Sequence, residues 1–180
     1  DASFEFDDFG KGWAYAMKQS LSKPVVITLY DDWVAENGMF VCRDDKGNEY
    51  GSEGGYLYLN DDHVLTIDLN GHTIDRNLNE ATDNGFVFRL YDYEARLIIK
   101  DSVGGGKITG ANNKGNGGAF LVERGGLYIL GGKISGNKAK NGAGVYWESQ
   151  GNLCICNCEI TGNEALENGG GIYGTSWGKM

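Results

Sequence analysis

Proline is almost missing from this chain: Pro24 is the one proline among 180 residues. Long stretches can therefore hydrogen-bond as strands without the donor loss and fixed φ that proline imposes. Long apolar runs are missing too, and no window reaches the roughly 20 residues that a membrane-spanning helix needs, which argues against membrane insertion. Basic residues are few and unclustered, 16 Lys and Arg against 25 Asp and Glu, for a formal net charge of −9. That balance argues against nucleic acid and anionic membrane surfaces, since binding to either begins by neutralising phosphate with Lys or Arg. Histidine is scarce, with His63 alone in an expected turn and His72 at an expected corner. No Ser-His-Asp set, phosphate loop or metal motif is present. Cysteine is limited to four residues. Cys154, Cys156 and Cys158 alternate along one expected strand, where i and i+2 Cα atoms stand roughly 6.5–7 Å apart, at the limit of a disulfide. Free thiols fit that spacing best. A bridge, or a metal site lacking the usual two-pair spacing, remains as an alternative.

Glycine is abundant, at 30 residues, without a collagen-like period. Many of these glycines sit in a repeated phrase: Gly105-Gly106-Lys107-Ile108-Thr109-Gly110, Gly131-Gly132-Lys133-Ile134-Ser135-Gly136-Asn137, then Glu159-Ile160-Thr161-Gly162-Asn163. Ile108, Ile134 and Ile160 are spaced 26 residues apart, and Ile74 precedes Ile108 by 34. A unit this short cannot bury a core alone, so the period predicts a solenoid. Alignment of the repeats gives three short strands per coil. The first set is Leu57-Tyr58-Leu59, Phe88-Arg89-Leu90, Phe120-Leu121-Val122, Val145-Tyr146-Trp147 and Ile172-Tyr173. The second starts at Leu65, Leu97, Leu127 and Leu153, and the third is the Lys-Ile-Thr/Ser segment. Alternation turns Leu65, Ile67, Leu97, Ile99, Leu127, Ile129, Leu153 and Ile155 inward together. Asn137 and Asn163 recur at one corner, where side-chain amides can form a ladder.

The first residues break the pattern. Phe9, Trp13, Ala16, Met17 and Leu21 fall at helical spacing after Asp7 or Asp8, either of which can cap. This stripe predicts a helix over about 7–21 that covers the open first coil, with Val25–Leu29 as the first strand. The expected architecture is all-β: a right-handed parallel β-helix of about five coils with an N-terminal capping α-helix. Residues 1–24 form the cap and 25–180 the β-helix. The last coil shows no matching cap, and the remainder of a larger parent chain, or another subunit, is expected to cover it.

The strings Leu65-Thr66-Ile67-Asp68-Leu69-Asn70-Gly71-His72-Thr73-Ile74 and Gly117-Gly118-Ala119-Phe120, with the repeated Ile-Ser/Thr-Gly-Asn, resemble the β-helix repeats of the pectin-lyase-like superfamily. The likeness covers roughly 56–174 and is nearest to modules of bacterial surface or secreted proteins, including those of gut anaerobes. It implies an extracytoplasmic protein whose signal peptide is removed before Asp1. Members of that superfamily include lyases, glycosidases, adhesins and stalks, so the resemblance does not specify an activity. Catalytic members generally have more coils and longer loops than this chain.

Outward positions supply the candidate sites. Tyr58, Arg89, Leu121, Tyr146 and Tyr173 form one outward column, joined by Tyr91. Their amphipathic chemistry suits a glycan or a protein ligand, or simply stabilises the sheet by same-face pairing. The next outward column runs Asn60, Tyr91, Glu123 and Glu148. Glu123 and Glu148 on adjacent rungs could reach the separation of about 5 Å used by retaining glycosidases, with Arg89 nearby. They could instead hold calcium, or splay into water. On the second strand set, Tyr128, Leu130, Cys154 and Cys156 form an apolar patch that predicts a structural contact, and Asp68 over Lys100 reads as a weak surface pair. Asp31, Asp32, Asp61 and Asp62 read as turn residues bonded to nearby amides. The expected function is a non-enzymatic structural or adhesive module that needs no cofactor, with a polysaccharide lyase or glycoside hydrolase as the alternative.

Overall fold

The computed structural model describes residues 4–19, 23–59 and 61–175. It is a parallel β-solenoid of about four turns preceded by one helix, α1, at Phe9–Gln19. The turn count is lower than the expected five coils: residues 35–51 carry only isolated antiparallel bridges, and Ser52–Glu53 pairs antiparallel with Tyr56–Leu57. The strand registers match the repeat. Leu57, Phe88, Phe120, Val145 and Ile172 pair in sequence, as do Val25, Leu65, Leu97, Leu127 and Leu153, and Trp33, Ile74, Ile108, Ile134 and Ile160.

The inward columns make one continuous core. Leu65, Ile67, Leu97, Ile99, Leu127, Ile129, Ile74, Ile108 and Ile134 are all fully buried. Phe88 and Phe120 stack inside it with ring centroids 5.3 Å apart. The Asp8 carboxylate accepts from the Lys11 amide at 3.0 Å, capping the start of α1. The helix then lays Trp13, Ala14, Ala16 and Met17 over the first rung, all buried. Leu21, which the periodicity adds to this stripe, lies outside the described residues. His63 is not an isolated turn residue: it is buried, with Nε2 2.7 Å from the Met17 carbonyl in the last turn of α1.

In the upper rungs the first two strand sets are separate, at Phe88–Leu90 and Arg96–Lys100. Lower down they fuse into single long strands, Phe120–Ile129 and Val145–Ile155. The fused strand bends at Gly125, whose φ is +76° and whose missing Cβ would stand 2.5 Å from the carbonyl oxygens of both Asp92 and Ala95. Only glycine fits there. A β-bulge lies just before this bend, between Val122 and Arg124.

The corners use side-chain amides and carboxylates. Asn137 is fully buried and donates to the Asn163 side chain at 3.0 Å and to the Ile108 carbonyl at 3.2 Å. Asp101 accepts from the amides of Gly71, Gly104 and Gly106. Asp68 is not half of a surface pair. It is buried, and accepts from the amides of Asn70 and Ser102 while holding Lys100 at 3.0 Å. Burial pushes its carboxyl up, but the Ser102 amide and the Lys100 ammonium outweigh burial and keep it below its usual value. Asp32 accepts from the Thr73 amide at 2.7 Å on the neighbouring rung, 41 residues away, rather than within its own turn, and Asp61 donates its own amide to the Asp92 carboxylate.

The strand Val145–Ile155 ends before Cys156, and Asn157, at φ +54°, turns the chain. Cys154, inside the strand, and Cys156, just past it, are exposed, while Cys158 does not continue the strand and packs against the core. All four thiols are free, and burial pushes the Cys42 thiol up to about 12.

The stack sets a gradient of packing along the axis. Ile108→Ala in the fully buried middle should cost about 2–5 kcal/mol, while Ile160→Ala on the partly exposed last rung should cost roughly half that or less. Denaturant unfolding of the two variants, followed by tryptophan fluorescence, gives the comparison.

Candidate functional site

Parallel pairing places Arg89 directly beside Leu121 and Tyr58, with Glu123 two residues beyond Leu121 on the neighbouring rung. The guanidinium grips the Glu123 carboxylate at two points, Nε to Oε2 at 2.6 Å and Nη2 to Oε1 at 3.2 Å. Such forked contacts are the strong form of the Arg–carboxylate pair. The Glu123 contact raises the Arg89 pKa above its usual value, so the guanidinium stays charged. Its Cζ also lies over the Tyr91 ring, 5.0 Å from the centroid. Tyr91 is 5.9 Å from Tyr58, which meets Tyr56 at 6.3 Å, and Tyr56 packs on Phe86 at 4.5 Å. Tyr56 and Phe86 are buried, leaving Tyr58, Arg89 and Tyr91 half-buried at the surface.

The strip is less uniform than its alternation suggests. Leu121 and Tyr173 are half-buried, but Tyr146 is only 7 % exposed and stacks on Tyr173 at 5.7 Å. Its ring is mostly occupied by its neighbours. Asn60, at the head of the next column, lies outside the described residues.

Beside this cluster runs a shallow groove of about 310 Å³ lined by Asp83, Asn84, Phe86, Asn116, Glu123 and Glu148, among others. Val122 pairs with Trp147, so the next residues, Glu123 and Glu148, stand on adjacent rungs, and both line the groove. The two carboxylates differ in their surroundings. Glu123 has its cation in Arg89, whereas Glu148 makes no ion pair among the described residues. Burial, and then the charge of Glu123, push the Glu148 carboxyl above its usual value. The amides of Asn113 are already used: Nδ2 donates to the Asn116 and Gly117 carbonyls, and Oδ1 accepts from Gly85 and Gly115. Asn113 therefore shapes the groove rather than reaching into it.

Among the described residues, no cluster of three or more His, Cys, Asp or Glu side chains is placed to hold a metal ion. On the second strand set, Tyr128 pairs in register with Cys154, and Leu130, Cys154 and Cys156 are exposed, so the apolar patch is an open surface of this chain. Sequence reasoning missed Arg76, which is buried and donates to the backbone carbonyls of Phe86, Gly38, Gly54 and Gly55. It ties the loops before Tyr56 to the solenoid wall behind the aromatic cluster. No local signal marks it, since its partners are main-chain atoms of distant loops.

The chain matches no protein-family model, no curated protein and no solved structure.

The unmatched carboxylate predicts a pH effect. A carboxyl whose folded pKa is raised favours folding fully only below its unfolded value, about 4.3, and that contribution is lost as pH rises through the folded value. Glu148→Gln should therefore stabilise the chain at pH 7, and the gain should vanish near pH 4. Urea unfolding at the two pH values measures it.

Proposed function

We propose that this chain is a non-enzymatic β-solenoid module, structural or adhesive, of the pectin-lyase-like kind borne by bacterial surface or secreted proteins. In this reading, the face formed by Tyr58, Arg89, Tyr91 and Leu121 takes a glycan. The observation that carries the reading is the Arg89 guanidinium fixed between the Glu123 carboxylate and the Tyr91 ring, beside an open groove. A guanidinium held by both groups is pre-oriented, so little side-chain freedom is lost on binding. Tyrosine ring faces suit the C–H surface of a sugar, and the Asn84, Asp83 and Glu148 side chains offer polar partners to hydroxyls. The shallow groove suits contact along a chain better than enclosure of one residue.

A second reading, a glycoside hydrolase, draws support from one feature. Burial and the nearby Glu123 push the Glu148 carboxyl above its usual value, while Glu123 is paired to Arg89, so the two carboxyls stand in unlike surroundings, as acid and base roles require.

The test is a panel of neutral and acidic polysaccharides and mucin, with calcium and with chelator, scored for retention and for new chain ends. Retention without cleavage, weakened at least about tenfold by Tyr91→Ala, is the expected result. Tyr91 is the better probe than Tyr146, whose ring is nearly buried. New chain ends that disappear in Glu148→Gln would overturn the binding reading in favour of the enzyme. No retention by any glycan would transfer the face to a protein ligand.

A further inference from the structure

Two thiols stand side by side on the outer face of the second strand set. Leu153 and Ile155 pack against the core, so alternation turns Cys154 and Cys156 outward together, and both are free and exposed. The rung above holds their backbones in place. Cys154 pairs in register with Tyr128, and the Cys156 amide donates to the Ile129 carbonyl at 2.8 Å. Both side chains point out of the sheet, across the stacking direction, so a further rung beneath the strand would leave them open at the side. The other two thiols are withdrawn. Cys42 is fully buried, and the half-buried Cys158 packs against the core with its thiol donating to the Glu159 carbonyl at 3.7 Å. Burial pushes the Cys158 thiol up to about 11, which disfavours its thiolate.

Spacing decides what such a pair can hold. Alternate residues of a strand stand roughly 6.5–7 Å apart at Cα, and side chains on one face keep about that separation. A disulfide sets its sulfurs about 2 Å apart, so each would have to lean in by more than about 2 Å. Two metal–sulfur bonds of about 2.3 Å in line set the sulfurs about 4.6 Å apart, and each leans in by only about 1 Å. The pair is too wide for a bond between its sulfurs and well matched to one metal ion between them. The surroundings select the kind of ion. Among the described residues no cluster of three or more His, Cys, Asp or Glu is placed to hold a metal, so zinc, which takes four ligands, would lack half of its shell. Hard cations want several oxygens. The neighbours here are the exposed Leu130 on the rung above and Tyr128, whose ring lies back over Gly126. Two thiolates in apolar company suit a soft cation that accepts two ligands, of which Cu(I) is the first-row case.

We propose that Cys154 and Cys156 form a two-thiolate site for a soft monovalent metal ion of the Cu(I) kind, on the outer face of the solenoid. On binding, each thiol releases its proton to solvent, two metal–sulfur bonds form, and the metal keeps its oxidation state. The site lies on the second strand set and the aromatic face on the first, so the proposal stands or falls apart from the glycan reading.

The whole chain, reduced with a phosphine and kept free of oxygen, is titrated with Cu(I) as its bicinchoninate complex, whose colour fades as metal moves to the protein. Uptake of one Cu(I) per chain is expected. Affinity should fall at least about tenfold in Cys154→Ser and in Cys156→Ser, since each removes one of two ligands, and stay unchanged in Cys158→Ser. Both ligand positions are exposed, so the variants should keep the urea midpoint of the parent. Zn(II) at equal concentration should not displace the copper. The proposal is overturned by no uptake from the complex, by uptake that survives both serine variants or is lost in Cys158→Ser, or by one metal shared between two chains in sedimentation equilibrium. A Cys154–Cys156 disulfide that forms within one chain in air, read by peptide mass mapping, would overturn it as well, since the thiols would then be close enough to bond each other.

Discussion

The structure depends on one constraint: every coil must lie on its neighbour in register, residue over like residue. Parallel pairing supplies each rung's backbone partners from the rungs on either side, and no coil can close its own hydrogen bonds. Register then decides everything that points in or out. A slip of one residue would exchange the Leu65–Leu97–Leu127 column for Thr66–Ile98–Tyr128, and the core would be lost. The corners enforce that register. Gly110, Gly136 and Gly162 recur at one corner with positive φ, and the buried Asn137 fixes the spacing between successive rungs through both its amide and its carbonyl.

The outward chemistry is a by-product of the same constraint. Arg89 and Glu123 are 34 positions apart in sequence, yet adjacent rungs make them a forked pair. The lysine–glutamate pairs down the third face arise identically from the repeat of Lys133 over Glu159. The same register sets Glu148 beside Glu123, one residue past the Val122–Trp147 pair, and loop residues such as Asp83, Asn84, Asn113 and Asn116 complete the groove around them.

These physical origins separate what was legible in the sequence from what was not. All three inward columns and the strip of Tyr58, Arg89, Leu121, Tyr146 and Tyr173 could be aligned residue by residue, because stacking repeats the same residue type at the same place. The helix was legible through the stripe of Phe9, Trp13, Ala16 and Met17. Features that depend on single, unrepeated contacts were not. Arg76 bonds main-chain carbonyls, which carry no side-chain signature. The burial of His63 and Asp68 depends on where a helix end and a corner happen to meet. The alternation of Cys154, Cys156 and Cys158 suggested one strand, but Asn157 can adopt positive φ and end it, a choice the pattern alone does not reveal. Alternation likewise marks Tyr146 as outward without showing that Tyr173 covers it.

The distribution of charge in the groove weighs one functional reading against the other. Two-carboxylate catalysis requires one group to donate a proton and the other to act on the sugar carbon or on water. Glu148 has the surroundings of a proton donor. Glu123, the other half, has both oxygens engaged by the Arg89 fork, and Arg89 is itself held by the Tyr91 ring. To attack or to activate water, Glu123 would have to give up charge-assisted hydrogen bonds that each count for more than a neutral one. The arrangement is complete without a substrate and rigid where a nucleophile would need freedom. Rigidity of that kind suits a surface that presents Arg89 and its tyrosines to a ligand, because a binding face gains from groups that do not have to move.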